Sequence, residues 1–576
     1  MESKKQGRRL KLWRLSNWRR VVQVATVLLF LYFLFEIRFP WEVDYKPTQY
    51  LRFDFLANIF GLLIGVGVIT GVFFIVIALF SLIFNRTLCG WLCPLGALLD
   101  GFRRLFVKPI GGGRVKIRKR GYGWKFILLN VFVVLILFGI PFMWLWEPMS
   151  ILPRSTTTIF FPPFNAGMDI VSRFLRERNF LPGAGRFINN NMLDPWQPHF
   201  LHAVVLLIIF AIPFALEFRF SRAFCRVLCP LGASMSYLSP IGLIKRRVSD
   251  KCIECLACQK GCRMGAIYNS GKDYNSAECV LCGDCIDTCP TRAVSFGVKP
   301  GFETKMHQAI TESNVEPKWD GGRFSLSRRA FVASVGVGVV SVPLIRLADG
   351  AAIRPADHIR PPGAVEEDLF KKRCLKCGAC MKVCPTHGLQ PTMLETGVAG
   401  FFSPHLVPVI GECEFTCNSC GLVCPSRAIE PIEKEEKAYV PIGVAYFKRD
   451  LCIPTAIGNP CYVCEEHCPT DPKSILMREQ LVVTKDMEQK MVPVPYIVEE
   501  TCIGCGICER VCPVKEERAV KCIHRGERRG RKAIDEYKDF RKEWDATRVD
   551  LGNVGIGGGT GEEAYQGEET YQGEEG

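Results

Sequence analysis

The stretch Cys279-Val280-Leu281-Cys282-Gly283-Asp284-Cys285-Ile286-Asp287-Thr288-Cys289-Pro290 decides how this chain is read. Its spacing, C-x2-C-x2-C-x3-C-P, is the bacterial ferredoxin run, which holds iron–sulfur cubes. Three closely spaced thiolates wrap one corner of a cube, because each two-residue gap lets the loop turn while its amides point at sulfur. The fourth cysteine leaves that loop on a helix and reaches the other cube of a pair. The run recurs as Cys374, Cys377, Cys380, Cys384, Pro385 and as Cys502, Cys505, Cys508, Cys512, Pro513. It recurs without the proline as Cys252, Cys255, Cys258, Cys262. Two stretched versions are Cys413, Cys417, Cys420, Cys424, Pro425 and Cys452, Cys461, Cys464, Cys468, Pro469. Zinc also takes paired cysteines, but its sites usually show two separated pairs without a third cysteine and a trailing proline. The six motifs therefore predict six [4Fe–4S] clusters. In the first pair, Cys252, Cys255, Cys258 and Cys289 are expected on one cube, and Cys279, Cys282, Cys285 and Cys262 on its partner.

Composition bounds the rest. A chain of 576 residues suggests several domains. Six motifs of four cysteines absorb most of the 29 present, and a secreted disulfide scaffold would be much shorter. The formal charge of +15 does not argue for a nucleic-acid partner. Each cube with its four thiolates carries about −2, so six offset about twelve positive charges. No C-x-x-C-H occurs, so no c-type haem is expected.

Residues 21–39, 55–84, 124–146 and 200–218 are apolar runs near or above the ~20 residues that a helix needs to cross a bilayer. They predict a polytopic α-helical membrane domain of four spans over 21–240, joined to α+β ferredoxin-like domains. Basic residues crowd the amino terminus (1–20), the loop between the second and third spans, and Lys245, Arg246 and Arg247 after the fourth. The segments 40–54 and 147–199 are much less basic, so the basic ends are expected to face the cytoplasm. A two-cluster ferredoxin domain, 245–300, then follows on the cytoplasmic side.

The membrane half repeats itself. Phe84-Asn85-Arg86-Thr87-Leu88-Cys89-Gly90-Trp91-Leu92-Cys93-Pro94-Leu95-Gly96-Ala97 matches Phe220-Ser221-Arg222-Ala223-Phe224-Cys225-Arg226-Val227-Leu228-Cys229-Pro230-Leu231-Gly232-Ala233. Spacing of i, i+4 puts both thiols of a copy on one helical side. Pseudo-twofold packing would bring Cys89, Cys93, Cys225 and Cys229 to one membrane face. They are expected to act in electron entry, as a dithiol–disulfide pair or around one shared metal centre, rather than as ligands of the six cubes. Packed, reduced cysteines are the bland alternative. For quinol binding, the ionisable groups near the span ends are candidates: Glu36, Glu147, Asp194, His199 and His202 at the outer ends and Glu217 at an inner end.

Four spans, two C-x3-C-P motifs and a two-cluster ferredoxin resemble NapH, the membrane quinol dehydrogenase subunit of periplasmic nitrate reductase systems. The resemblance covers about residues 1–300. NosR-type proteins share this membrane core but carry a large amino-terminal flavin domain, for which there is no room before residue 21.

In the second half, Ser327-Arg328-Arg329-Ala330-Phe331 precedes an apolar run, 332–345, and reads as a twin-arginine export signal within 323–350. Residues 348–352 are rich in small side chains and could be cut; uncut, the segment would be a fifth span. Residues 365–535 then carry four motifs. An export signal followed by four motifs, the second of form C-x3-C-x2-C-x3-C-P, resembles NapG, the four-cluster periplasmic ferredoxin that accompanies NapH. That resemblance implies nested pairing: Cys374, Cys377, Cys380 with Cys512; Cys502, Cys505, Cys508 with Cys384; Cys413, Cys417, Cys420 with Cys468; and Cys452, Cys461, Cys464 with Cys424. Sequential pairing is the alternative. Cys522 has no motif and is read as a bystander. Residues 552–576 are rich in glycine and glutamate and are expected to be disordered.

The chain thus reads as a NapH-like and a NapG-like protein in one, in the cytoplasmic membrane, with its second half in the periplasm. Its implied work is to oxidise quinol from the quinone pool and pass electrons to a periplasmic reductase or cytochrome. The alternatives are an assembly or regulatory factor of the NosR or copper-oxidase maturation type, and a passive anchor for a reductase. The two ferredoxin domains are expected on opposite faces of the bilayer, and the sequence shows no stations between them.

Overall fold

A computed structural model describes residues 14–35, 68–109, 123–178, 181–191, 193, 197–298, 327–351, 354–483 and 487–552. Glu36, Asp194, residues 55–67 of the second predicted span, part of the basic loop and the tail from 553 lie outside the described residues.

Five apolar helices form a helical body: Leu15–Phe35, Val68–Phe84, Trp124–Leu137, Ala203–Arg219 and Arg328–Ala351. Among the described residues one stretch, Arg328–Asp349, is long and apolar enough to cross a membrane, and Ile75–Phe84 and Trp124–Leu137 are shorter apolar helices. The run expected to continue to residue 146 stops as a helix at Leu137. Gly139 takes φ +84°, and the N–H groups of Gly139 and Ile140 return to the Ile136 and Leu135 carbonyls. This is a glycine C-cap, and Pro141 behind it cannot extend the helix.

The Arg328–Ala351 helix runs alongside Trp124–Leu137 in the same direction. The Asn130 amide donates to the Ser334 hydroxyl at 3.0 Å, and Arg346 donates to the Phe138 carbonyl at 3.2 Å. Between them Gly338 lets the helices touch, since a Cβ there would stand 2.8 Å from the Val134 Cβ. Residues 348–351, expected to be a cleavable stretch, are the last turn of this helix. Asp349 accepts the Val398 N–H at 2.5 Å and so ties the helix to the four-motif unit.

The motif-bearing parts are built from short helices and two-stranded antiparallel sheets. Strand pairing closes each two-motif segment on itself. Ile244–Val248 pairs with Val294–Val298 around the first two motifs. Val444–Phe447 pairs with Val520–Ile523 around the last two. A bridge from Ala364 to Ile429 closes the middle two. The two units sit at opposite ends of the helical body. Lys125, at the start of Trp124–Leu137, pairs with Glu278 of the two-motif unit. Just past that helix, Gly139 lies against Lys372 of the four-motif unit. Fourteen helical residues between them span about 21 Å at 1.5 Å per residue.

Candidate metal centres

The four regular motifs share a backbone device. In each, the residue before the second cysteine and the residue after it are left-handed: Glu254 and Leu256, Leu281 and Gly283, Lys376 and Gly378, Gly504 and Gly506. Two such turns in five residues curl the loop and aim its N–H groups at sulfur, the anion-binding nest of a cluster loop. Backbone N–H groups of Leu281, Lys376 and Gly504 donate to the first thiols, Cys279, Cys374 and Cys502. Gly271 is needed for room, because a Cβ there would stand 2.7 Å from the Cys258 sulfur. The two stretched motifs have no left-handed residue between their closely spaced cysteines.

The fourth cysteines follow their own rule. The hydroxyl two residues later lies at the thiol in four cases: Cys289–Thr291 at 3.6 Å, Cys384–Thr386 at 3.5 Å, Cys424–Ser426 at 3.8 Å and Cys468–Thr470 at 3.2 Å. The corresponding residues after Cys262 and Cys512 are Met264 and Val514, which carry no hydroxyl. N–H groups of Ala266, Ala293 and Ile429 also donate to Cys262, Cys289 and Cys424 at 3.3–3.4 Å.

Neighbouring thiols sort the cysteines into sets. Cys262 lies beside Cys279, Cys282 and Cys285, and Cys289 shares a small core with Cys258, as the spacing predicts. In the four-motif unit the nested pairing is corrected. Cys424 joins Cys374, Cys377 and Cys380. Cys384 joins Cys413, Cys417 and Cys420. Cys512 is beside Cys452, and Cys468 beside Cys502. Pairing is sequential because the Val444–Phe447 and Val520–Ile523 strands close the last two motifs on themselves and the Ala364–Ile429 bridge closes the middle two.

Burial pushes the Cys282, Cys377, Cys464 and Cys502 thiols up to about 12. Loading a cluster must therefore release those protons, and the amide and hydroxyl donors favour the thiolate. At Cys289 burial also raises the thiol, but the Thr291 hydroxyl and three backbone N–H groups outweigh it and leave the thiol below its usual value. The donor chemistry fits iron–sulfur cubes, held by the residues named. Cys522 is more than a bystander in position: its buried thiol lies within hydrogen-bonding reach of Cys508.

The C-x3-C-P copies meet at the end of the body that carries the two-motif unit. Cys93 and Cys229 are both N-caps with near-identical backbone, φ −78° and −68°, ψ 114° and 115°, followed by proline at N1. Cys93 neighbours Cys89 and Cys225, and Cys229 neighbours Cys225, Cys89 and Cys93. Missed in the sequence are the buried charges around them. Arg222 holds Asp100 at 2.7 Å and the Cys89 carbonyl at 2.9 Å. Arg86 and Lys125 share Glu278, at 3.0 and 2.6 Å. The arginine three residues before the first cysteine of each copy was the available signal.

The quinol candidates separate. Glu217 is buried beside Cys225, 3.8 Å from Arg103. His199 and His202 lie at the other end of the same helix, where the four-motif unit docks: Gln390 donates to the His199 carbonyl at 2.9 Å and accepts the Leu201 N–H. The His202 carbonyl begins the Ala203–Arg219 helix. Glu147 caps Pro148–Ser155 by accepting the Ser150 N–H at 2.8 Å.

Two family models described as 4Fe–4S binding domains match: one at residues 66–112 and 202–249, the other at 369–390 and 495–515. No solved structure matches. The ferredoxin-type protein NapG of Escherichia coli (strain K12) is 30% identical over 204 residues, which are 34% of this chain and 85% of the relative. The methylamine utilization ferredoxin-type protein MauM of Methylorubrum extorquens is 29% identical over 199 residues, 34% of this chain and 86% of the relative. The ferredoxin-type protein NapF of E. coli is 26% identical over 161 residues, 28% and 84% of the two chains. With these cysteine sets and that coverage, the chain belongs to the ferredoxin-type NapG family of iron–sulfur electron-transfer proteins.

Proposed function

We propose that the chain is a NapH-like membrane quinol dehydrogenase and a NapG-like ferredoxin in one polypeptide, with the helical body spanning the cytoplasmic membrane. It takes electrons from quinol and delivers them to a periplasmic terminal reductase of the nitrate-reductase kind. The observation that carries this reading is the order of the thiol sets outward from the helical body. The set of Cys374 and Cys377 abuts Arg154 of the body, whose guanidinium donates to the Lys376 carbonyl at 3.3 Å. The Cys384 set is next to it, through the shared two-motif fold. The Cys413 N–H then donates to the Cys505 carbonyl at 2.8 Å, which joins the Cys384 set to the Cys468 set. The Cys512 set, with partly exposed Cys461 and exposed Tyr462, comes last.

Cubes in these sets supply one-electron stations when bound. The protein's residues do the ordering: they close each pair of motifs on itself, bury the thiols and supply the donors that set relative potentials. In this reading His199 and His202, at the end of the body where the four-motif unit docks, are the candidate acceptors of quinol protons.

The test is reduction of the anaerobically loaded full-length chain by a quinol analogue, read as bleaching of visible cluster absorbance. Bleaching by dithionite but not by quinol would refute the proposal.

A further inference from the structure

We propose that the helix Phe161–Glu177, with its neighbour Pro182–Asn191, lies flat on the membrane face where the four-motif unit docks, one apolar stripe sunk among anionic phospholipids. The proposal rests on the reading of the helical body as membrane-spanning. The Ser172 hydroxyl donates to the Gly185 carbonyl at 2.9 Å, and a Cβ on Gly185 would stand 3.0 Å from the Ser172 carbonyl oxygen, so the two helices touch closely. The first helix begins under the four-motif unit, where the Lys382 ammonium lies over the Phe161 ring. The Asn165 amide donates to Gln197 at 3.1 Å, and Gln197 donates to the Pro162 carbonyl at 3.0 Å. These contacts fix the pair of helices at that end of the body.

The Phe161–Glu177 helix has three faces. Phe161, Asn165 and Ser172 are buried against the neighbours just named. Asp169 pairs with Arg173 on a second face, which Arg176 shares. The third carries Gly167, Ile170, Val171 and Phe174, spaced i, i+3, i+4, i+7, the period of a single helical stripe. Ile170 is 65% exposed and Phe174 56%, and a Cβ on Gly167 would meet nothing within 4 Å. Leu181 and Phe187 add exposed apolar surface from the second helix and its approach. A contiguous apolar surface of this kind marks an interaction site. Two observations make lipid the partner. First, the stripe leads into the body: Phe160, exposed in the turn before the helix, meets Phe210 edge to face at 5.3 Å, and the helix of Phe210 exposes Val204, Leu207 and Ile208. In a body that spans the membrane those side chains face lipid, and the stripe extends their surface. Second, residues 161–191 carry Arg173, Arg176, Arg178 and Arg186 against Asp169 and Glu177, four cations to two anions. All four arginines are exposed. Arginines beside an apolar stripe are the pattern of a helix that lies in the interface of an anionic bilayer, its apolar face about 5–10 Å deep. The same charges bar it from crossing, and it is not the described stretch that is long and apolar enough to cross.

The test uses the full-length chain in vesicles of phosphatidylcholine and phosphatidylglycerol, with the photoreactive residue benzoylphenylalanine placed at one position at a time. At Phe174, irradiation is expected to give a lipid adduct, read by mass spectrometry of the surrounding peptide. The adduct is expected to be lost when the probe is moved to Arg176 on the polar face. Leu79, 54% exposed on Val68–Phe84, reports the membrane-spanning reading separately. A lipid adduct at Leu79 with none at Phe174 would overturn the proposal and leave that reading intact. No adduct at either position would overturn both. Equal lipid adducts at Phe174 and Arg176 would overturn the proposal as random contact. A polypeptide adduct at Phe174 would overturn it too and mark a protein-docking face. If the probe at Phe174 keeps the chain from accumulating, Ile170 takes its place with the same outcomes.

Discussion

The two motif-bearing units meet the helical body in the same way at one atom and in opposite ways everywhere else. In each, the carbonyl of the left-handed residue before the second cysteine accepts from the body. Leu281 takes the Trp91 indole N–H at 3.2 Å, and Lys376 takes the Arg154 guanidinium at 3.3 Å. The loop of the nearest thiol set is thus presented to the helices at both ends. Beyond that atom, the two-motif unit is seated on ion pairs: Glu278 with Arg86 and Lys125, Asp284 with Arg19, and Arg263 with Asp100. A Cβ at Gly90 would stand 2.8 Å from the Val280 carbonyl oxygen, so that contact is also close. The four-motif unit is seated on hydrogen bonds through Gln390 and Asp349 and on Lys382 over the Phe161 ring. Charge-built contacts are rigid and costly to break singly; amide-built contacts are cheaper. The difference teaches that one unit is a fixed part of the body and the other a docked one.

The largest effect expected from this contrast is at Glu278. Glu278→Gln leaves Arg86 and Lys125 buried without a counter-charge and should cost about 3–5 kcal/mol. It is measured as a fall in the thermal midpoint of the full-length chain. Gln390→Ala at the other seat should cost about 1–3 kcal/mol, because it leaves the Leu201 N–H and the His199 carbonyl without that partner. If both variants cost the same, the distinction between fixed and docked units fails.

The hydroxyl rule sharpens the comparison within the units. Thr470→Val removes the donor at 3.2 Å from Cys468 and should lower the potential of that one cluster, with iron content unchanged. Val514→Thr offers Cys512 a donor and should raise its cluster. Each ~1 kcal/mol of differential hydrogen bonding corresponds to about 40 mV for a one-electron couple. Redox titration followed by paramagnetic resonance reads both shifts, and shifts of the same sign would contradict the rule.

A smaller, pH-dependent effect belongs to the four-motif unit. His358 and His405 stack at 4.8 Å, and the Thr392 hydroxyl contacts both. Burial, then Arg360, lowers both imidazoles, with His405 at about 4. Arg354 and Glu367 also act on His358, and His202 on His405. The unfolded chain binds these protons below about 6.5 while the folded chain does not. This contribution to stability is therefore complete above about 6.5 and is lost as the pH falls toward 4. His405→Gln should flatten that slope in thermal unfolding measured from pH 7 to pH 4.5.

The sequence made the cysteine chemistry legible because ferredoxin loops are local: a C-x2-C-x2-C run carries its own turns, as Leu281 and Gly283 illustrate. Pairing in the second half was not legible. It depends on Val444–Phe447 finding Val520–Ile523, a long-range pairing that no spacing encodes. The repeat around Cys89 and Cys225 was plain, and the role of Arg86 and Arg222 was not. Arg222 reaches the Cys89 and Gly96 carbonyls of the other copy and Arg86 reaches the Ala277 carbonyl and Glu278 of the two-motif unit, long-range contacts that a linear reading cannot place. The third helix was overextended because Gly139 and Pro141 sit inside an apolar run, and the C-cap outweighs hydropathy there.

The central claim is that the two units work on opposite sides of one membrane. A reporter active only outside the cytoplasm, fused in one strain after Val298 and in another after Gly552, tests it most directly. The account predicts silence at Val298 and activity at Gly552. It also predicts loss of the Gly552 signal when Arg328 and Arg329 are both replaced by lysine. The same response at both positions would contradict it.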